Sequence, residues 1–232
     1  MRVGILANSY LSAFTIYRQL HDLPDCDLYI VLSPLPHRSP IISVLANFAR
    51  MIIGSLSPMS WQLSSVPFNR RVIFLPHTID HPGSVAQLKK LQFDVGLHKS
   101  GGIYRKETIT AFRLGILNPH IGLLPEYRGR SVMEWSLLKN DPVGISVFFI
   151  DTGIDTGEQI IIKEQVDVSH YTSISEAKEF LFNLDATFFR KALKVLNSAE
   201  PGFQLNDGSG HRYYVMSKLF QGVVQEILER RL

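Results

Sequence analysis

The feature that most restricts the fold of this sequence is a repeated alternation of short apolar runs with segments of helical periodicity. Strand-like runs occupy residues 2–7, 27–33, 71–75 and 93–97. Segments such as 85–91 lie between them and carry apolar side chains at helical spacing. The alternation predicts an α/β fold with an open, mostly parallel sheet and helices on both faces.

The second half of the chain is organised differently. It contains a predicted helix, Ser131–Lys139, followed by two longer predicted strands, Gly144–Ile150 and Glu158–Val166. A loop rich in Gly and Asp, residues 151–157, joins these strands. One long helix is predicted over Ser173–Leu196, and the tail from Met216 is again helical. We therefore expect a main domain over residues 1–200 and a helical C-terminal extension over residues 201–232 packed on it.

Composition excludes several classes of protein. With 45% hydrophobic residues, the 232-residue chain is too apolar to be disordered, and a net charge of +3 is too small to indicate nucleic-acid binding. A single cysteine, Cys26, excludes an internal disulfide framework and a cysteine-rich zinc site. Met1 and Arg2 lead directly into a strand-like run, so we expect no secretory signal and a cytoplasmic location.

The apolar segment 41–56 raises the question of a membrane. It is shorter than the roughly 20 residues that a spanning helix needs, and it carries Arg50 near its middle. We expect a helix buried against the core or against a second subunit, which leaves a homodimer open. Peripheral membrane contact is the alternative, and no membrane span is predicted.

Several well-known site motifs are absent from the sequence. There is no G-x-G-x-x-G, no G-x-x-x-x-G-K-[ST] and no G-x-S-x-G, which argues against nicotinamide enzymes, P-loop NTPases and α/β-hydrolases. His77 and His81 have a spacing that could hold a metal on a helix. Because Pro76 and Pro82 flank them, they are better interpreted as loop histidines, and no metal is predicted.

Three residues with complementary chemistry are predicted to lie on loops. Asn118 and His120 follow a short predicted strand, Gly115–Leu117, and Asp155 lies in the 151–157 loop. An imidazole can move protons near neutral pH, an amide can stabilise an oxyanion, and a carboxylate can orient the imidazole. The alternative is that His120 is an ordinary loop histidine and Asp155 a turn former.

The same region resembles a known family. Residues 118–129 read NPHIGLLPEYRG, residues 144–147 read GISV, and residues 151–157 read DTGIDTG. This order and spacing is similar to the N-x-H-x-S-L-L-P-x-x-R-G, G-V-T-like and D-x-G-x-D-x-G segments of the folate-dependent formyltransferases. The resemblance covers about residues 93–170 well. Gly122 stands where the family commonly has Ser.

The resemblance implies a Rossmann-like formyltransferase fold and transfer of a formyl group from N10-formyltetrahydrofolate to an amine. Asn118, His120 and Asp155 fall on the three catalytic positions of the family. The first two would stabilise the oxyanion, and His120, tuned by Asp155, would relay a proton from the amine to N10. The folate pocket would, by position, include the residues Leu97, Ser100, Gly101, Gly102, Ile103, Phe149, Ile150 and Asp151.

The branches of this family differ in the amine that they formylate. Glycinamide ribonucleotide enzymes carry a Gly/Ser phosphate loop after the first strand, where this chain has Ala7, Asn8 and Ser9. Methionyl-tRNA enzymes carry a C-terminal tRNA-binding domain, and we expect no such domain in this chain. A small-molecule amine, most simply the amino group of a nucleotide-linked sugar, is therefore the expected acceptor, and nucleic acid is not expected as a partner.

A nucleotide-linked acceptor would need cations for its phosphates and aromatic rings for its base or sugar. The expected substrate-binding residues are Tyr104, Arg105, Tyr127, Arg128 and Arg130, with Lys106 and Trp135 nearby. Two alternatives remain open: another small amine such as glycinamide ribonucleotide, and a non-catalytic folate- or nucleotide-binding protein on the same scaffold.

Overall fold

The structure is a computed structural model that describes residues 1–35, 71–100 and 102–230. The apolar segment 41–56 and Gly101 lie outside these residues. The chain divides into two compact units, Met1–Ile116 and Leu117–Leu232. The expected division into residues 1–200 and 201–232 stays a prediction.

The first unit contains a parallel sheet. Its strands are β1 (Arg2–Ala7), β2 (Asp27–Leu32), β3 (Val72–Phe74) and β4 (Val95–His98), in the order β3-β2-β1-β4. In the register of β1, Val3 lies opposite Leu28 on one side and Val95 on the other. All three of these side chains are buried, as expected of strands covered on both faces.

Within the described residues of this unit there are three helices: α1 (Tyr10–Leu20), α2 (Pro82–Leu91) and α3 (Lys106–Ile109). In α2, Pro82 occupies the first turn, where its missing N–H is no loss. His81 is the N-cap of this helix, and its Nδ1 accepts a hydrogen bond from the Gly83 N–H at 3.1 Å. His81 therefore has a structural role at a helix end, with the His77 ring packed 3.9 Å from its own.

The strands of the second unit pair mainly antiparallel. Strand β5 (Gly115–His120) begins at the end of the first unit and continues into the second. It is followed by β6 (Tyr127–Gly129), β7 (Gly144–Phe149), β8 (Gln159–Gln165), β9 (Gln204–Leu205) and β10 (His211–Tyr213). The order β5-β7-β8-β9 is antiparallel throughout, whereas β6 and β10 form a separate parallel pair.

The helices of the second unit are α4 (Val132–Leu138), α5 (Ile174–Asn183), α6 (Asp185–Leu196) and α7 (Lys218–Glu229). The single helix predicted over Ser173–Leu196 is wrong, because one helix ends at Asn183 and another begins at Asp185, with Leu184 between them. The Leu184 N–H bonds to the Leu181 carbonyl, three residues back, which tightens the last turn of α5 and interrupts the α pattern.

The predicted α/β fold with a mostly parallel central sheet, helices and a C-terminal helix is confirmed, and the antiparallel pairings are those of the second unit. The C-terminal extension also contains β9 and β10, which the sequence pattern did not indicate. Among residues 1–35, 71–100 and 102–230, no helix is long and apolar enough to cross a membrane. The same residues include no group of three or more His, Cys, Asp or Glu side chains that could hold a metal ion.

Candidate active site

Strand β5 carries Asn118 and His120, which were expected on a loop after a shorter strand. That expectation is wrong because antiparallel pairing with β7 extends the strand: Asn118 lies opposite Phe148, and His120 lies opposite Ser146. The pairing continues past Pro119, although proline has no N–H to donate. Since side chains alternate along a strand, Asn118 and His120 lie on the same face, with Cα atoms about 7 Å apart.

The hydrogen bond of His120 defines which of its nitrogens can exchange a proton. Nε2 lies 2.8 Å from the carbonyl oxygen of Tyr127. A carbonyl can only accept, so Nε2 must carry the hydrogen. Nδ1 is then the nitrogen without a hydrogen in the neutral ring, and it faces Asp155. Because the His120 side chain is only 8% exposed, its ring has little freedom to exchange these roles.

Asp155 faces His120 from the 151–157 loop. Its Oδ1 lies 3.6 Å from His120 Nδ1, which is longer than a direct hydrogen bond but close enough for an ion pair with a protonated ring. Its Oδ2 accepts a hydrogen bond from the Gly129 N–H at 2.9 Å. The side chain is 14% exposed, so the carboxylate is held between the imidazole and the backbone of β6.

The rest of the 151–157 loop is braced from within. Asp151 Oδ1 accepts hydrogen bonds from the Gly153 N–H at 2.9 Å and from the Thr156 hydroxyl at 2.8 Å. The loop closes on β7 at Gly157, where a Cβ atom would lie 1.7 Å from the Phe149 carbonyl oxygen. Asp151, predicted to contact a cofactor, therefore shapes the loop, and the predicted contacts Phe149 and Ile150 are half-buried beside it.

The turn after His120 is also held by side chains. The Ser146 hydroxyl donates to the Gly122 carbonyl at 2.8 Å and accepts from the Leu124 N–H at 3.0 Å. A Cβ atom on Gly122 would lie 2.6 Å from the Tyr127 carbonyl oxygen and 2.7 Å from His120 Nε2. The serine that is common at this position in the resembled family would therefore clash with the ring position seen in this chain.

The expected substrate-binding residues of the second unit serve mainly to hold structure. Tyr127 is buried and stacks on Tyr213 with ring centroids 5.2 Å apart, and its hydroxyl donates to Asp141. Burial and the neighbouring Asp141 carboxylate raise the pKa of Tyr127. Arg128 donates from Nε and Nη2 to the Gly210 carbonyl, at 3.1 and 2.7 Å.

Two further candidates of this unit lie closer to solvent. Arg130 is exposed, and its backbone N–H donates to the Tyr213 carbonyl at 3.1 Å. Its guanidinium has no hydrogen bond or ion pair with the residues that the structure describes. The half-buried Trp135 donates from its indole N–H to the Tyr214 carbonyl at 2.9 Å. Arg130 is therefore the better placed of the two for contact with a ligand.

The remaining predicted residues belong to the first unit and lie in β4 or in the segment after it. The Tyr104 hydroxyl, which is buried, lies 2.8 Å from His98 Nδ1 and 2.9 Å from the Ser100 hydroxyl. Burial raises the pKa of Tyr104. Leu97 is fully buried in β4, whereas the accessible members of this predicted set include Gly102, Ile103, Arg105 and Lys106.

Sequence reasoning missed Asn206, which lies directly after β9. Its side chain is 2% exposed, and Nδ2 donates to the carbonyl oxygens of Asp155 at 3.2 Å and Gly157 at 3.0 Å. In the sequence, Asn206, Asp207 and Gly208 are typical of a turn, and no spacing relates them to Asp155. Only the pairing of β8 with β9 brings Asn206 to the loop.

Taken together, these groups can support proton transfer coupled to oxyanion stabilisation. The imidazole has one nitrogen committed to a backbone carbonyl and the other facing a carboxylate. The amide of Asn118 lies on the same strand face, and no hydrogen bond within the described residues engages its side chain. This is the set of groups that an acyl transfer to an amine requires.

Comparison with known proteins identifies the same region. A family model described as formyl transferase matches residues 76–193, a little more than half of the chain. The methionyl-tRNA formyltransferase of Alkaliphilus oremlandii is 28% identical over 130 residues, which cover 55% of this chain and 42% of that protein. The one from Syntrophus aciditrophicus is 26% identical over 66% of this chain and 49% of its own length. The chain thus matches less than half the length of these curated relatives.

Solved structures share the fold at low sequence identity. A 4-N formyltransferase from Francisella tularensis has a TM-score of 0.62 at 16% identity, covering 99% of this chain and 86% of its own. The formyltransferase PseJ from Anoxybacillus kamchatkensis, in complex with UDP-4,6-dideoxy-4-formamido-L-AltNAc and tetrahydrofolate, has a TM-score of 0.54 at 15% identity over the whole of both chains. Phosphoribosylglycinamide formyltransferase from Bacillus halodurans has a TM-score of 0.56 at 19% identity, covering 86% of this chain and 97% of its own.

Proposed function

Because the chain belongs to the formyl transferase family, we propose that it transfers a formyl group from N10-formyltetrahydrofolate to a primary amine. One observation carries this proposal: His120 donates from Nε2 to the Tyr127 carbonyl while its Nδ1 faces the Asp155 carboxylate at 3.6 Å. The imidazole is thereby prepared to exchange a proton at one defined atom, on the strand face that also carries Asn118.

The reaction can be written with the groups that the chain provides. The amine nitrogen forms a bond to the formyl carbon, and the carbonyl oxygen becomes an oxyanion. The bond from the formyl carbon to N10 then breaks, and the proton lost by the amine is delivered to N10. We assign this proton relay to Nδ1 of His120, with Asp155 stabilising the imidazolium that forms.

The Asn118 amide supplies the second element of the mechanism. Its N–H groups would donate to the oxyanion, which carries more charge in the transition state than in the substrate carbonyl. A donor of this kind is typically worth about 10²–10³ in rate. Asn118 and His120 are therefore assigned as catalytic residues, and Asp155 as the carboxylate that orients and charges the imidazole.

The residues beside this site are suited to a flat pterin ring. Phe149 and Ile150 offer half-buried apolar surface where the internally braced 151–157 loop leaves β7. We propose these two side chains and the backbone of that loop as folate contacts. In the first unit, Ser100, Gly102 and Ile103 stay candidates by their position after β4. The cofactor, when bound, supplies the formyl group and the N10 leaving group.

For the acceptor we propose the amino group of a nucleotide-linked amino sugar. The fold is shared with a formyltransferase solved in complex with a UDP-linked formamido sugar, which supports this class. The candidate cation for the phosphates in the second unit is Arg130, which is exposed, and Arg105, exposed in the first unit, stays a candidate from the sequence. Glycinamide ribonucleotide is the second candidate, since an enzyme named for it shares the fold. A cytoplasmic location and a homodimer stay predictions.

The proposal is tested by supplying the full chain with N10-formyltetrahydrofolate and, in separate assays, UDP- and dTDP-linked amino sugars, glycinamide ribonucleotide and charged initiator tRNA. We expect formylation of at least one amino sugar and slower or no reaction with the other acceptors. Preferred turnover of glycinamide ribonucleotide or tRNA would overturn the acceptor class. Folate binding without turnover of any acceptor would favour a binding protein.

His120→Ala tests the assigned relay. Formyl transfer should fall by about 10²–10⁴-fold, because the group assigned to carry the proton is removed. The dissociation constant for tetrahydrofolate, measured by calorimetry, should be unchanged, because the ring is not a proposed folate contact. His170→Ala, which changes an exposed histidine outside the site, is the control and should retain full activity. Retained turnover in the His120 variant would exclude the relay role.

A further inference from the structure

The C-terminal extension reaches the catalytic loop through one side chain. Asn206 follows β9, and its side chain donates two hydrogen bonds to the backbone at Asp155 and Gly157. We propose that Asn206 is a positioning residue that holds the Asp155 carboxylate at His120, an inference that rests on the proposed formyl transfer. Because Asn206 is 2% exposed, it has no surface with which to contact a substrate itself.

The orientation of the Asn206 amide is determined by its partners. Nδ2 lies 3.2 Å from the Asp155 carbonyl oxygen and 3.0 Å from the Gly157 carbonyl oxygen, and both oxygens can only accept. A flipped amide would point its own oxygen at them. In this orientation Oδ1 is buried and accepts no hydrogen bond from the residues that the structure describes. A buried, unsatisfied acceptor is unfavourable, so the two donated bonds are retained at a cost in stability.

The backbone of Asp155 has an uncommon conformation that neighbouring contacts can hold in place. Its φ angle is 53°, in the left-handed region, which residues other than glycine adopt infrequently, although Asp does so more often than most. Such a conformation persists where surrounding contacts determine it. The Asn206 amide donates to the carbonyl oxygens of Asp155 and Gly157. It thereby joins two points of the loop and holds the backbone of Asp155 in this conformation.

A second contact from the same extension supports the other side of the carboxylate. Asp155 Oδ2 accepts from the Gly129 N–H, and Gly129 lies on β6, which pairs with β10. At Gly129 a Cβ atom would lie 2.1 Å from the Tyr213 carbonyl oxygen, so the two backbones are in close contact. Residues 204–213 therefore act in two ways. They hold the loop through Asn206, and through β10 they hold Gly129, which donates to the carboxylate.

The Asn206→Ala variant tests the proposal. We expect kcat for formyl transfer to fall at least about tenfold while KM for both substrates stays within about twofold, because binding groups are untouched. Val224→Ala is the matched control. Val224 is fully buried in α7, so its truncation destabilises the same unit without removing a donor from the loop, and kcat should be unchanged.

A readout that does not depend on activity is the amide exchange of Gly129, whose N–H donates to Asp155 Oδ2. In Asn206→Ala it should accelerate at least about tenfold, because the carboxylate leaves its place. The Arg130 N–H, bonded to the Tyr213 carbonyl, should keep its protection and show that β6 and β10 remain paired. If Asn206→Ala does not fold, Asn206→Ser, which retains one hydroxyl donor, replaces it and should show smaller changes in the same direction.

Three results would overturn the proposal: unchanged Gly129 exchange, unchanged kcat in an active enzyme, or an equal loss of kcat in Val224→Ala. Failure of the proposed function is distinguishable from these. If the unmodified chain transfers no formyl group to any acceptor, the function fails, whereas the exchange measurement still determines whether Asn206 holds Asp155.

Discussion

The proton-exchanging nitrogen of His120 is selected by a backbone carbonyl. Because the Tyr127 carbonyl oxygen accepts a hydrogen bond from Nε2, the tautomer of the ring is determined without a carboxylate. Asp155, 3.6 Å from Nδ1, is then available to stabilise the charged ring during the reaction. The roles of tautomer control and charge stabilisation are thus divided between two groups.

Gly122 provides the space for this arrangement, which leads to a prediction about its substitution. In Gly122→Ala the new Cβ would lie within 2.7 Å of both the Tyr127 carbonyl oxygen and His120 Nε2, so the ring must move. We expect kcat to fall by about 10²-fold. The Nε2 proton of His120 should be protected from exchange by its hydrogen bond to the Tyr127 carbonyl, and its NMR signal should disappear in the variant.

The control for this substitution is Gly202→Ala, since a Cβ at Gly202 meets no atom within 4 Å. It should change neither the activity nor the His120 proton signal. An active Gly122→Ala enzyme with the signal intact would show that the ring tolerates the new methyl group.

Asp94 gives a prediction about pH and stability. Burial opposes its ionisation, but hydrogen bonds from Arg113 Nε at 2.5 Å and from the Arg2 N–H at 2.7 Å outweigh it and lower the pKa. Because the pKa is lower in the folded state, the ionised carboxylate stabilises that state at pH values above 3.8, the pKa in the unfolded chain. This contribution is lost as the pH falls from 3.8 through the lower pKa of the folded state.

Asp94→Asn should therefore reduce the free energy of unfolding by about 1 kcal/mol at pH 7 and by progressively less below about pH 4. Urea denaturation of both proteins at several pH values measures the difference. A difference that is the same at pH 7 and pH 3.5 would contradict the assigned role of the carboxylate.

At the scale of elements, α7 contains a glycine that costs helix stability. Gly222 lies within the helix, and a Cβ there would meet no atom within 4 Å. Gly222→Ala should raise the free energy of unfolding by about 0.5–1 kcal/mol, because alanine loses less backbone entropy in a helix. Thermal denaturation measures the change.

Gly208→Ala is the opposing case with similar space. Its nearest neighbour would be 3.9 Å away, but its φ angle of 69° is left-handed. This substitution should lower the free energy of unfolding by about 1 kcal/mol. If both alanine variants change stability in the same direction, backbone conformation is not what separates these two glycines.

At the scale of the whole chain, the fold is common to formyltransferases named for different amines, with TM-scores of 0.54 for a sugar enzyme and 0.56 for a ribonucleotide enzyme. Choice of acceptor must therefore depend on side chains. The net charge of +3 does not identify these side chains, because it also counts arginines that already bind the protein itself, as Arg128 binds the Gly210 carbonyl. Arg130, which is exposed beside it, is the cation we expect to matter.

The sequence by itself determined the α/β class and most of its elements, because hydrophobic periodicity reports which faces of strands and helices are buried. It also identified His120 and Asp155 as candidate site residues, and the structure places Nδ1 of the first 3.6 Å from Oδ1 of the second. Local patterns describe one segment at a time. They could not show that pairing with β7 would make Asn118 part of a strand, or that one helix would divide at Leu184.

Only the tertiary structure decided which residues support the site. Asn206 is 51 residues from Asp155 along the chain, and Arg128 is 82 residues from Gly210. Contacts at such separations depend on strand pairing, here β9 on β8 and β10 on β6, that leaves no periodic signal in either segment. The residues to which we assign the chemistry could be predicted from their types, whereas the residues that hold them had to be located in three dimensions.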